Sequence, residues 1–272
     1  MGKGNLFVHI GLHKTGTTFL QNRVFPCFND LSIIRAWHNQ KTIVSQDLKA
    51  KILITYEGFS GDPWVGNYHD QFCQNIHNLK KLYSDPKIII GFRKHSSLIL
   101  SLYKQYLHQK GTENLDYLFN YQNTGVLKHE DLFFYNKVNL LQKEFKDVFI
   151  YFQEDLNDNL RTFIRSLSQF LETSFEFSHF ELETDKNYNL GVKTELQVNL
   201  LRYLNKVSIS RFCPNLYGVK MTKYKWTPRD ICQYRLSKVK GPLFRLPEDL
   251  KEFIDDYYEQ DWQRVSNLYG NG

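Results

Sequence analysis

Four short runs along the chain are apolar almost without interruption: Leu6–Ile10 (LFVHI), Lys51–Tyr56 (KILITY), Lys87–Phe92 (KIIIGF) and Val148–Phe152 (VFIYF). Their apolar residues stand at consecutive positions rather than alternate ones, which predicts strands buried on both faces, as in a parallel sheet. Between and after them the apolar spacing is helical over Thr17–Val24, Gln71–Tyr83, Ser96–Gln109, Glu130–Phe145, Leu160–Leu171, Val192–Asn205 and Pro247–Leu268. Strands alternating with helices predict an α/β fold with a mostly parallel sheet flanked by helices. Pro247 opens the last predicted helix and Gly270 lies just past its end, good boundary chemistry for one continuous element. The stretch Asn205–Pro247 is irregular, basic and aromatic. The expectation is one domain over 1–272, with an α/β core over 1–171 and a helical, loop-rich C-terminal part over 172–272.

Composition narrows this only a little. A chain of 272 residues with 42% apolar and 24% charged residues buries a core without metal or disulfide staples, which excludes a disordered chain or a disulfide mini-protein. The four cysteines (Cys27, Cys73, Cys213, Cys232) form no C-x-x-C pair and are read as reduced thiols, with no metal site expected. No apolar run approaches the ~18 residues of a membrane span. The start, MGKGNLFVHIG, has no signal-peptide core and enters a strand at once, so a cytoplasmic location without a membrane span is expected.

Charge is distributed unevenly. Lys220, Lys223, Lys225, Arg229, Arg235, Lys238, Lys240 and Arg245 face only Asp230 in the same segment, a net +7, against +6 for the whole chain. An anionic ligand near that segment, or simply a solvated basic face, accounts for it. No internal repeat, low-complexity tract, linker or nucleic-acid-binding motif is present.

The first strand runs into GLHKTGTT and then a predicted helix. Strand, glycine-containing loop and helix N-terminus together make a phosphate cradle, and Gly11 and Gly16 are placed five apart as in the nucleotide loop G-x-x-x-x-G-K-[ST]. The fold expected is therefore P-loop-NTPase-like. The match breaks at one point: Thr17 stands where that motif has its lysine, and the lysine is Lys14, two residues before Gly16. A lysine rooted earlier in the loop suits a single 5′-phosphate bearing one further group rather than a triphosphate. A Gly/Thr turn that merely caps a helix is the bland alternative.

A second strand-to-helix junction carries chemistry of its own. KIIIGF ends on Arg93, at the carboxyl end of a predicted parallel strand, where open α/β sheets bind ligands. Ser97, Ser101, Lys104 and His108 follow along one polar helix face. Lys14-Thr-Gly-Thr-Thr after the first strand resembles the 5′-phosphosulfate loop of the sulfotransferases that use 3′-phosphoadenosine 5′-phosphosulfate (PAPS). Arg93 and Ser101, eight apart, resemble that family's 3′-phosphate pair, and VFIYFQEDL is similar to its later strand and E-D-L turn. The resemblance spans about residues 6–171 and points to a soluble, bacterial-type branch.

The resemblance implies sulfuryl transfer from PAPS to a hydroxyl of a small-molecule or carbohydrate acceptor, as in secondary metabolism. PAP is the product and no metal is required. It implies that His13, Lys14, Thr15, Gly16, Thr17 and Thr18 hold the 5′-phosphate, with Lys14 also stabilising the leaving phosphate. Arg93 and Ser101 would hold the 3′-phosphate, joined by Lys240 from a late basic loop. Glu57, at the carboxyl end of KILITY, is the implied general base; capping the next segment or pairing with Lys14 is its alternative role. His13, His95 and His108 are the reserve bases. Aromatics in Tyr217–Trp226 are candidates for stacking on a ring. Acceptor loops are expected over Phe59–Asp70, Gly111–Gly125 and Asn205–Pro247. Two other readings stay open: a P-loop kinase or NTPase using ATP–Mg²⁺, and a non-enzymatic anion-binding protein.

Overall fold

The structure is a computed structural model and describes residues 6–35, 51–83, 85–178, 180, 191–212, 214, 227–232 and 241–269. Its centre is a five-stranded, wholly parallel sheet flanked by helices. Strands β1 (Leu6–Ile10), β2 (Leu31–Arg35), β3 (Lys51–Tyr56), β4 (Lys87–Phe92) and β5 (Val148–Phe152) lie in the order β2-β3-β1-β4-β5. All four predicted strands form with the predicted bounds. The addition is β2, whose LSIIR is buried only at Leu31 and exposed at Arg35, as befits an edge strand. Half-burial removes the continuous apolar run by which the inner strands are recognised.

Because β1 is central and its neighbours are β3 on one side and β4 on the other, the chain order reverses at β1. Loops leaving β1, β3 and β4 therefore open at the same end of the sheet, where the strand order creates a crevice. Phe7, Leu53, Ile89 and Tyr151 from four strands pack with Leu20, Val24, Phe163 and Leu167 in the core beneath it.

The helices are α1 (Thr17–Phe19), α2 (Tyr68–Leu82), α3 (His95–His108), α4 (Leu115–Leu118), α5 (Phe134–Glu144), α6 (Gln153–Asp158), α7 (Leu160–Leu171), α8 (Glu195–Lys206), α9 (Pro228–Asp230), α10 (Glu248–Tyr257) and α11 (Glu259–Tyr269). Three predicted helices are interrupted. The first passes from α1 into a π-helical turn, Leu20–Val24, and a 3₁₀ turn, Phe25–Cys27. The helix predicted over Glu130–Phe145 becomes a 3₁₀ turn, His129–Leu132, followed by α5. Here the cause is remote: both carboxylate oxygens of Asp261 accept hydrogen bonds, from the Phe134 N–H at 2.8 Å and the Tyr135 N–H at 3.0 Å. They supply the cap that the local sequence lacks. The final helix divides at Tyr258, whose hydroxyl donates to the His129 carbonyl at 2.8 Å.

The chain forms two compact units: 1–95 with 129–182 and 257–272, and 96–128 with 183–256. The first holds the sheet. In the second, Asn205 donates to the carbonyls of Leu107 and Gly111, each at 2.8 Å, and Thr194 and Gln197 form a reciprocal cap at the start of α8. The first unit also buries Lys137 of α5 with its ammonium over the rings of Phe72 and Tyr68, 4.9 and 5.3 Å from their centroids. Burial pushes that amine down to about 8.

Candidate functional site

The loop after β1 has a backbone that its sequence explains. Gly16 adopts φ +91°, and a β-carbon there would stand 2.5 Å from Leu156 Cδ1. Gly11 has no room for one either, since it would stand 2.6 Å from Thr17 Oγ1 and 3.1 Å from Glu57 Cγ. Both glycines are needed because the loop is pressed between the first helical turn, α6 and the end of β3. Lys14 also has positive φ, 66°, a conformation that costs a residue with a side chain about 1–2 kcal/mol. Something must hold it, and Arg93 does: its Nη1 donates to the Lys14 carbonyl at 3.2 Å.

Arg93 is largely enclosed, and burial lowers its proton affinity while nearby Glu154 raises it. Glu154 also accepts the Lys94 N–H at 3.0 Å and so fixes the turn leading into α3. The E-D-L turn after the neighbouring strand β5 thus braces the Arg93 junction. Thr17 is buried, and its hydroxyl has no hydrogen-bond partner among the described residues. A buried, unsatisfied hydroxyl on a loop of this shape fits a phosphate oxygen. Thr18 is exposed beside it. The Thr15 hydroxyl is turned the other way and donates to the Leu12 carbonyl at 2.7 Å, leaving its backbone N–H as the group available to an anion.

Glu57 begins the 3₁₀ turn Glu57–Ser60 directly after β3 and comes down beside the loop. Its Oε2 lies 3.6 Å from Nδ1 of His13, whose Nε2 is 3.0 Å from the Gly61 carbonyl. A carbonyl only accepts, so Nε2 carries the proton and Nδ1 is the nitrogen turned toward the carboxylate. The imidazole is held edge-on against Trp64, 5.2 Å between ring centroids. His13, Lys14, Thr15, Gly16, Thr17, Thr18, Glu57 and Arg93 are therefore brought together in the first unit, from the ends of three strands.

Three further candidates, His95, Ser101 and His108, lie on α3. His95 is a core residue, stacked between Phe134 and Tyr258 at 4.1 and 4.2 Å, with Nε2 3.0 Å from the Leu132 carbonyl. His108 accepts the Val192 N–H at 3.4 Å in the second unit. Ser101 is half-buried on α3, in that same unit. Lys240, the aromatics of Tyr217–Trp226 and most of the basic stretch lie outside the described residues. Among the described residues no group of three or more His, Cys, Asp or Glu is placed to hold a metal, and no helix is long and apolar enough to cross a membrane.

Sequence reasoning passed over His9. It lies fully buried in the middle of β1, and burial pushes its imidazole down from 6.5 to about 3. Its signal was a titratable residue inside an apolar strand. Unfolded, this histidine takes a proton near 6.5; folded, it does so only near 3. Its contribution to stability is complete above about pH 6.5 and is lost progressively as pH falls toward 3. At pH 5 the loss amounts to about 2 kcal/mol. Urea unfolding between pH 8 and 5 measures it, and His9→Gln is expected to flatten the profile; an equally steep profile in that variant would refute the assignment.

No family model matches the chain, and no curated protein matches it by sequence. Among solved structures it is similar to a sulfotransferase from Alicyclobacillus acidocaldarius, with 14% identity and a TM-score of 0.46 over 64% of this chain and 83% of that one. It is also similar to the mouse sulfotransferase SULT7A1, solved in complex with PAP, with 13% identity and a TM-score of 0.47 over 97% of this chain and 86% of that one.

Proposed function

We propose that this chain is a PAPS-dependent sulfotransferase acting on a hydroxyl of a small-molecule or carbohydrate acceptor. The observation that carries the reading is the convergence of Lys14, the unsatisfied Thr17 hydroxyl, Arg93 and Glu57 at one end of the sheet. In the proposed reaction the acceptor O–H gives its proton to the Glu57 carboxylate as its oxygen bonds to sulfur. The bond from sulfur to the 5′-phosphate oxygen breaks in line, and its electron pair leaves on that phosphate. Lys14 balances the charge developing there, a task that a metal performs in triphosphate chemistry. The loop's N–H groups and the Thr17 and Thr18 hydroxyls hold the 5′-phosphate. Arg93 contributes positive charge and keeps Lys14 in its conformation. Ser101 and Lys240 are the further 3′-phosphate contacts that the family resemblance implies.

Position 17 supports this reading over a kinase, because a threonine stands where a triphosphate loop has its lysine. Thermal unfolding with adenosine 3′,5′-bisphosphate (PAP) in EDTA, against ATP–Mg²⁺, separates the two. At about 100 times its Kd the bisphosphate adds about 2.7 kcal/mol. That is about 5–10 °C for a chain of this size. A shift with ATP–Mg²⁺ alone would replace this reading by the kinase one. A bisphosphate shift that survives intact in Lys14→Ala and Arg93→Ala would leave an anion-binding protein without this site.

A further inference from the structure

The pair formed by His13 and Glu57 lacks one proton. His13 gives its Nε2–H to the Gly61 carbonyl at 3.0 Å, so Nδ1 carries a lone pair. That lone pair faces Glu57 Oε2 at 3.6 Å. An ionised carboxylate also only accepts, so two acceptors stand opposite each other with no proton between them, too far apart for a hydrogen bond. Nδ1 is shut off from solvent and has no hydrogen-bond partner among the described residues. A buried acceptor without a donor is costly. One added proton removes that cost, closing the gap as O–H···N or, after transfer, as N–H···O.

The surroundings hold the imidazole in this orientation. Trp64 meets the ring edge-on, 5.2 Å between centroids. The turn that supplies the Gly61 carbonyl is clamped to α2 by Gln71, whose Oε1 accepts the Asp62 N–H at 2.9 Å and whose Nε2 donates to the Gly66 carbonyl at 2.8 Å. The Trp64 N–H donates to Asp62 Oδ1 at 3.0 Å, so the same turn also fixes the indole. Both ring nitrogens of His13 are thus aimed at protein groups, a carbonyl and a carboxylate. That arrangement leaves the backbone of His13, rather than its side chain, to meet a 5′-phosphate.

We propose that the His13 side chain serves proton transfer, as the group to which Glu57 passes the acceptor's proton, and not as a ligand of the 5′-phosphate. The inference rests on the sulfotransferase reading of this site. The acceptor O–H proton goes to Glu57 as its oxygen bonds to sulfur, and the electron pair of the breaking sulfur–oxygen bond leaves on the 5′-phosphate. The carboxylic acid so formed gives the proton to Nδ1, while Nε2–H stays on the Gly61 carbonyl. An imidazolium–carboxylate pair results, and partly exposed Glu57 returns the proton to water. The other ionisable groups around the pair are Lys14 of the loop, Asp62 of the turn, Tyr68 of α2 and Tyr151 of β5. Burial raises both phenols, which therefore keep their protons through the neutral range.

Two measurements on the intact protein test this. Histidine ¹⁵N titration without ligand should show neutral His13 with its proton on Nε2. In Glu57→Gln the ring should take up its second proton about tenfold less readily, because an amide does not stabilise the imidazolium. A proton on Nδ1 in the neutral form, or a titration indifferent to Glu57→Gln, would overturn the proposal. The second measurement uses His13→Gln, which keeps a donor for the Gly61 carbonyl but has no basic nitrogen. It should lower kcat about 10- to 100-fold with PAP affinity within about twofold. Its acid limb in the rate–pH profile should move down by about one unit, because a lone carboxylate then titrates in place of the pair. Equal losses of affinity and rate would return the side chain to phosphate binding, and an unmoved acid limb would make it a structural support; either result refutes the relay. Failure of the wild type to bind PAP would instead remove the sulfotransferase reading, while the titration still decides whether His13 and Glu57 share a proton.

Discussion

Replacing Glu57 by glutamine is expected to lower sulfuryl transfer by about 10²–10⁴, the usual worth of a positioned base, with PAP affinity unchanged within about twofold. The expected split follows from where Glu57 stands. Its side chain is 36% exposed at the mouth of the crevice, and the described loop is held by Arg93 and its own glycines rather than by the carboxylate. Glutamine keeps the shape and can donate its amide toward His13 Nδ1, but it cannot accept the acceptor's proton. Release of PAP from PAPS in the presence of a panel of hydroxyl acceptors gives the rate, and calorimetry gives the affinity. An unaltered rate would move the base to His13, whose Nδ1 lies 3.6 Å from the Glu57 carboxylate.

Arg93→Ala should weaken PAP binding about 100-fold, a change equivalent to about 2.7 kcal/mol. Two losses combine. The loop carbonyl of Lys14 loses a charge-assisted donor, worth about 1.5–3 kcal/mol, and Lys14 is released from a left-handed conformation that it does not adopt unaided. The site also loses a cation whose partner in the protein, Glu154, is left behind to repel an anionic ligand. Arg93→Lys should recover only part of the affinity, since an ammonium restores charge but not the planar fork. Calorimetric titration checks the series, and an Arg93→Ala variant within threefold of wild type would rule out this account of the loop.

The four predicted strands and the phosphate loop were legible because their determinants are local. A strand buried on both faces is apolar at every position, and a tight loop announces itself by glycine spacing, here Gly11 and Gly16. The candidate residues on strand ends, Glu57 and Arg93, could be placed for the same reason: parallel strands must present their carboxyl ends together. Edge strand β2 was illegible because only Leu31 is buried, so its pattern carries no strong period. The ends and breaks of helices failed where their cause lies far along the chain. Asp261 caps α5 from 127 residues away, and Tyr258 breaks the last helix to reach the carbonyl of His129.

The site itself divides along the same line. By its own composition the chain determined that β1 leads into a glycine loop bearing Lys14, and that β3 and β4 end in an acid and a guanidinium. Only the tertiary structure decided that Arg93 grips the Lys14 carbonyl, that Glu57 faces His13, and that His9 reaches Thr55 and Tyr151 across the sheet. Periodicity and loop chemistry are properties of neighbouring residues, which a sequence displays directly. A hydrogen bond between side chains 46 or 142 positions apart exists only because strand order brings them within 2.8 and 3.2 Å.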